Sequence, residues 1–400
     1  MLILIYTSGF FFFAFFASFA LFARNKRWYV VFLAVVGLAS SAYGDTIVPA
    51  RRACALSQQV SLIHESADAL LAGHYRQAEE LFDRFIAEKP DEPAGPLMKA
   101  AVIHYHAIDY EDYSRSDEYI RLLDTAEKLA LTKVVRAGSK PAPACNLKPE
   151  RCTGRFETCP SYDVWGWYFL YSARILKAAW SVTSGNFFTG VIDARAAVKG
   201  LSRIDSDTVR LSTTGAPVHF DILLTTGSYR FWQSNATKPV HWLPFIDDQR
   251  KQGIAEVEEA LAKGTLVTPL SSTVLIEMLM VYDNNRAITC AEGLVARYPS
   301  CRLFRWQLGE SLKRDGRYED AVRVLIGIAD GMANDPDDDG SGPLRCWWKL
   351  AVLSESLGKV DDCRRYCGEI IRIGQRKTVA ERQKKRIEGA RRLLEKLNND

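Results

Sequence analysis

The stretch Phe304–Asp330, FRWQLGESLKRDGRYEDAVRVLIGIAD, constrains this chain more than any other. Leu308 and Gly309 sit in a first helix, Gly316 and Tyr318 mark a tight turn, and Ala321, Leu325 and Ile328 line one face of a second helix. The small residues let two antiparallel helices approach closely, and the large ones fill the gap to the next pair. Such a hairpin cannot bury its apolar face alone, so it demands neighbours of its own kind.

The same offsets recur. Ala78 has Gly73 and Tyr75 before it, Phe82 after it and Pro90 at the end. Ala287 is followed by Ala291, Leu294 and Pro299, and Cys363 is flanked by Gly358, Val360, Cys367 and Ile370. The expected pairs are near 57–90, 268–299, 302–330 and 344–374. These units resemble tetratricopeptide (TPR) repeats, so the predicted fold is all-α, a TPR-like α-solenoid of antiparallel helix pairs.

Composition agrees with a folded chain: 48% of its 400 residues are hydrophobic and 25% charged. The net charge is +4, and residues 1–44 hold three basic residues (Arg24, Lys26, Arg27) and no acid. The rest therefore carries 49 basic against 48 acidic side chains, which is no footprint for nucleic acid. Segment 376–400 reads as a basic capping helix (Arg382, Lys384, Lys385, Arg386, Arg391, Arg392) interleaved with Glu381, Glu388 and Glu395. A solvated end-cap is preferred there over a basic docking site.

The N-terminus is a second strong signal. Met1–Ala23 is almost wholly apolar, Arg24, Lys26 and Arg27 follow, and a second apolar run covers Trp28–Ala39. Ala42-Tyr43-Gly44 offers small residues for signal-peptidase cleavage, so 1–44 reads as a signal peptide whose true start lies near residue 21. Alternatively Met1–Ala23 is a membrane span and the second run crosses back. Either reading puts residues 45–400 outside the cytoplasm, in the periplasm or cell envelope, with membrane association through the N-terminal segment.

The nine cysteines suit an oxidising compartment. Cys346 and Cys367 lie on opposite helices of one hairpin and are the first disulfide candidates, and Cys290 with Cys301 the second. Cys145, Cys152 and Cys159 are spaced by seven in a Pro-rich loop, 136–162, that internal cross-links would pin. Zinc is the competing reading for these three, but the loop has no C-x2-C knuckle and no His.

Between N-terminal helices (45–135) and C-terminal units (265–375), the section 163–264 is rich in aromatic residues. Its segment FDILLTTGSYRFWQSNATKPVHWLPFIDDQRKQGIAEVEEAL carries Gly227, Tyr229, Trp232 and Ser234, then Trp242-Leu243-Pro244-Phe245, then Asp248, Arg250, Gly253 and Ile254. On these residues it resembles a group of exported bacterial TPR proteins and, more distantly, the tetratricopeptide-repeat protein 39 family of eukaryotes. The likeness spans Ser61 to Leu394 in architecture and is motif-specific over 221–261. It implies an α-solenoid and no established chemistry, and the cysteine loop departs from it.

Trp165, Trp167, Tyr168, Tyr229, Trp232, Trp242 and Phe245 are the candidate partner-binding residues. Aromatic residues at helical spacing are ordinarily core; the sharper reading is an aromatic-lined groove for an extended peptide, lipid or sugar.

No phosphate-binding glycine loop, nucleophile elbow or HExxH helix occurs. His104 and His106 would face different sides of a helix, which is poor metal geometry. Asp247, Asp248 and Arg250 read as a helix start with an ion pair. The run Asp335–Gly340 fits the first half of a calcium loop, but its twelfth position is Cys346 where a bidentate Glu is needed. No catalytic residue, metal or cofactor is expected. The function expected is a non-catalytic, exported scaffold for a protein or peptide partner, the alternative being a periplasmic ligand-binding or transport-accessory protein with a central aromatic pocket.

Overall fold

The structure, a computed structural model, describes residues 50–136, 164–183, 186–211, 218–238, 247–264, 271–335, 338 and 341–399. The described residues are helical with no strand, and chain neighbours pack as adjacent helices. No helix among them is long and apolar enough to cross a membrane. Both N-terminal apolar runs, the cysteine loop and the Trp242–Phe245 motif lie outside the described residues.

The helices fall into two compact units. The first contains α1 (Ala50–Leu71), α2 (Tyr75–Glu88), α3 (Ala94–Tyr110) as far as His104, α4 (Ser116–Arg136), α5 (Val164–Thr183), α6 (Phe187–Leu211), α7 (Val218–Thr237), α8 (Arg250–Lys263) and α9 (Ser272–Tyr282). The second contains residues Tyr105–Ser114, then α10 (Asn284–Arg297), α11 (Arg302–Arg314), α12 (Tyr318–Ala333), α13 (Ser341–Ser356), α14 (Val360–Ile373), α15 (Lys377–Arg382) and α16 (Lys384–Asn399).

Three of the expected hairpins share one turn. Gly73, Gly316 and Gly358 have φ of 82°, 82° and 68°, a backbone that only glycine adopts without strain. In each turn the glycine N–H donates to the carbonyl three residues back, and the next N–H donates to the carbonyl five back: His74 to Ala69 (2.8 Å), Arg317 to Leu312 (3.0 Å) and Lys359 to Ser354 (2.9 Å). This bonding closes the helix C-terminus and reverses the chain. The reference positions Ala78, Ala287, Ala321 and Cys363 are all fully buried, as close helix approach requires. The expected pair at 268–299 is different: α9 packs with α8 in the first unit, and α10 packs with α11 in the second.

The recognition motif of the middle section is a structural joint. A Cβ on Gly253 would stand 2.6 Å from the Gly227 carbonyl oxygen, and one on Gly227 would stand 2.9 Å from the Gly253 oxygen, so α7 and α8 touch backbone to backbone. Ser234 at the end of α7 donates to Asp248 (3.2 Å) and accepts from the Gln249 N–H (2.9 Å). Asp248 also accepts from the Arg250 N–H (3.1 Å), and the Arg250 side chain holds its carboxyl well below the usual carboxylate range. Ile254 fills the interface one turn on.

Cys290, Cys301, Cys346, Cys363 and Cys367 form no disulfide with one another, so neither the Cys346–Cys367 nor the Cys290–Cys301 bridge is formed in this structure. Cys367 instead meets the thiol of Cys363 one turn earlier on α14. Burial pushes Cys301 up to about 12, and burial with the nearby Cys363 pushes Cys367 up to about 12, so both stay protonated and inert at neutral pH.

Replacing Gly227 or Gly253 with Ala should destabilise the first unit by about 1–3 kcal/mol or more, because backbone cannot yield to the new methyl. Gly293→Ala and Gly368→Ala, where nothing lies within 4 Å, should be neutral or stabilising by up to ~1 kcal/mol in the same urea titrations. Among these five thiols, labelling of the native protein should modify half-buried Cys290 first and reach Cys301, Cys346, Cys363 and Cys367 only on unfolding.

Candidate interaction site in the C-terminal unit

The described aromatic candidates lie in or beside helix interfaces. Trp167 and Tyr168 on α5 and Trp232 on α7 are buried, while Trp165 and Tyr229 are half-buried. Trp167 stacks on Tyr171 (5.8 Å between centroids), whose ring lies against Gly200 of α6. Tyr168 is raised by burial and by the nearby charge of Asp221 on α7. Trp232 meets Phe231 edge-to-face at 4.9 Å, and Phe231 in turn lies on Gly253 of α8. These rings serve successive helix interfaces. Trp242 and Phe245 lie outside the described residues.

His104 is core: its Nδ1 is 3.1 Å from the Tyr119 hydroxyl and its ring meets Trp180 edge-on at 5.4 Å. Burial lowers it to about 3, so it remains neutral and offers no acid or base near pH 7.

The polar chemistry concentrates in the second unit, on residues that sequence reading either did not name (Asp109, Tyr110, Glu111, Arg302, Arg345) or gave another role (Asp335, Arg382, Arg386). Four arginines from four helices hold the segment Tyr105–Ser114. Arg302, heading α11, donates from Nε to Asp109 (2.7 Å), from Nη1 to Asp335 (2.7 Å) and from Nη2 to the Tyr110 hydroxyl (2.7 Å). Tyr110 itself donates to Asp335 at 2.6 Å, and burial with this hydrogen bond raises its hydroxyl far above the ordinary value.

Arg345 on α13 donates to the Ile108 carbonyl (2.9 Å), one of the last acceptors of α3, and pairs with Glu111 at 3.3 Å. A cation at a helix C-terminus is favourable for the exposed carbonyls. Its guanidinium also stacks over the buried ring of Trp306 on α11, 4.1 Å from the centroid, and Lys349 stands 5.7 Å from the same ring. Arg386 on α16 grips both carboxylate oxygens of Glu111, one at 2.9 Å. Arg382, ending α15, bridges Asp112 (3.0 Å) and the Ser341 hydroxyl (2.6 Å).

Glu111 has φ of 51°, alone among the described non-glycine residues in the left-handed region. A helix commonly ends on Gly or Asn there, and another residue costs about 1 kcal/mol. The carboxylate that Arg345 and Arg386 share accounts for a glutamate in this place.

Asp109 is 1% exposed, so its charge is carried by Arg302 out of water. Removing one member of such a pair is costly even where the pair itself contributes little. The acidic loop is also used structurally: Asp335 serves Arg302 and Tyr110, and Asp338 accepts the Gly342 N–H (3.2 Å) at the start of α13. Among the described residues no group of three or more His, Cys, Asp or Glu is placed to hold a metal ion. The arrangement is one for recognising carboxylates and a helix end.

No protein-family model matches the chain, and none of the curated proteins compared with it matches significantly.

Glu111→Gln should lose about 1–2 kcal/mol of stability by urea unfolding, since it keeps the strained backbone and forfeits the charge-assisted bonds. Glu111→Gly, relieved of strain, should lose about 1 kcal/mol less.

Proposed function

We propose that this protein is a non-catalytic scaffold of the cell envelope, a TPR-type α-solenoid that binds another protein or peptide. The observation that carries the reading is the capture of Tyr105–Ser114 by arginines from α11, α13, α15 and α16. A surface built from consecutive helix pairs there recognises carboxylates and a backbone carbonyl belonging to a segment about two hundred residues away in sequence. The three glycine-closed hairpins and the buried small residues at their crossings support the repeat assignment. Export rests on the N-terminal apolar runs and the Ala42-Tyr43-Gly44 cleavage pattern. The buried state of Trp167, Tyr168 and Trp232 favours core over a ligand-lined pocket, which weighs against a small-molecule carrier.

The test is mass spectrometry of the protein purified from its own envelope after mild cross-linking. The expected result is a mature chain beginning at Asp45 and a reproducible protein partner in near-equal amount. Recovery with a small molecule and no protein partner would replace the scaffold with a carrier, and an intact Met1 in a cytosolic fraction would remove the envelope assignment.

A further inference from the structure

The positive charge of this chain is gathered at its last two helices. Residues 376–400 hold nine basic and four acidic side chains. Taking these from the chain's 52 and 48 leaves 43 basic against 44 acidic for everything before them. Helix α16 packs on α13 and α14 through Ile387, Ala390 and Leu393, and its opposite face is exposed. That face carries Lys384, Lys385, Arg391, Arg392 and Lys396 around Glu388 and Glu395.

A solvated end-cap accounts for a polar face, but mixed charge does that work as well as net positive charge. The contrast within the same unit is informative. Several exposed arginines on the preceding helices pair with an acid three residues away: Arg323 with Asp320, Arg364 with Asp361, Arg365 with Asp362 and Arg372 with Glu369. On the last helices Lys384 reaches Glu388 (3.9 Å) and Lys396 reaches Glu355 (2.9 Å). Lys377, Lys385, Arg391 and Arg392 are exposed and have no acidic partner among the described residues. Even with Glu388 and Glu395 among them, the cations leave this face net positive, which favours an anion lying against it.

We propose that the exposed face of α15–α16, through Lys377, Lys385, Arg391 and Arg392, docks on the anionic headgroups of a lipid bilayer. The face belongs to a regular helix of 16 residues, roughly 24 Å long, which suits a flat array of charges. Residues 376–400 contain no aromatic side chain, so the base-stacking that single-stranded nucleic acid sites use is missing. On an anionic surface each Lys or Arg of such a face adds to the hold.

The test is flotation of the purified full chain with phosphatidylcholine vesicles, plain or containing about a third phosphatidylglycerol. The neutral vesicles report whatever binding does not depend on charge. Wild type should bind the anionic vesicles far more tightly than the neutral ones. The triple variant K385Q/R391Q/R392Q should lose on the order of a hundredfold of that excess, and raised salt should act likewise. All three positions are exposed, so an unchanged melting curve should accompany the loss. Equal binding of wild type and variant to anionic vesicles, or of wild type to both vesicle types, overturns the proposal and leaves a solvated cap. Retention of wild type, but not variant, on polyglutamate without vesicle binding assigns the face to an acidic protein and also overturns it. None of these outcomes bears on the partner-binding scaffold, which is tested separately.

Discussion

Close approach of neighbouring helices is the constraint on which this structure depends. A helix with one apolar stripe must cover it, and here the cover is the next helix in the chain. Approach is close where the crossing residue is small: Ala78, Ala321 and Cys363 in the glycine-closed hairpins, and Gly227 against Gly253 where α7 and α8 meet at their backbones. At such points a methyl group has nowhere to go, because main chain rather than a flexible side chain stands opposite. Larger residues such as Phe82, Phe231 and Phe304 then fill the space beside the contact.

The second unit adds an electrostatic device to this packing. Helix pairs place Arg302, Arg345, Arg382 and Arg386 around one segment, and that segment answers with Asp109, Glu111 and Asp112. Arginine suits this role because its planar fork donates to several acceptors at once, as Arg302 does to Asp109, Asp335 and Tyr110. A partly buried set of this kind gives little net stability, but it tolerates no missing member, so it fixes where the segment sits. The left-handed backbone at Glu111 is a local cost that these ion pairs offset.

The hairpins were legible in the sequence because glycine, aromatic and alanine positions recur at fixed offsets, and each offset has a local cause. Gly73, Gly316 and Gly358 are required by a turn that spans only a few residues. The start of α8 was legible for the same reason, since Asp248 acts on Arg250 two residues away. The environment of the aromatic residues of the middle section was not legible, because period alone does not tell a ring facing a neighbouring helix from one facing a groove. Trp167, Tyr168 and Trp232 turned inward once α5 to α8 were packed. The contacts of the thiols were no more legible: Cys346 and Cys367 lie on paired helices, and Cys367 meets Cys363 along its own helix.

By itself, then, the sequence determined what local physics governs: helical class, the glycine turns and the small crossing positions. Tertiary structure alone decided which arginine meets which carboxylate, since Arg302 and Asp109 are 193 residues apart and Arg386 and Glu111 are 275 apart. Charge pairing over such separations leaves no periodic trace in the chain. It depends on helix rotation and crossing angle, which the summed packing of many small contacts sets and no short window of residues contains.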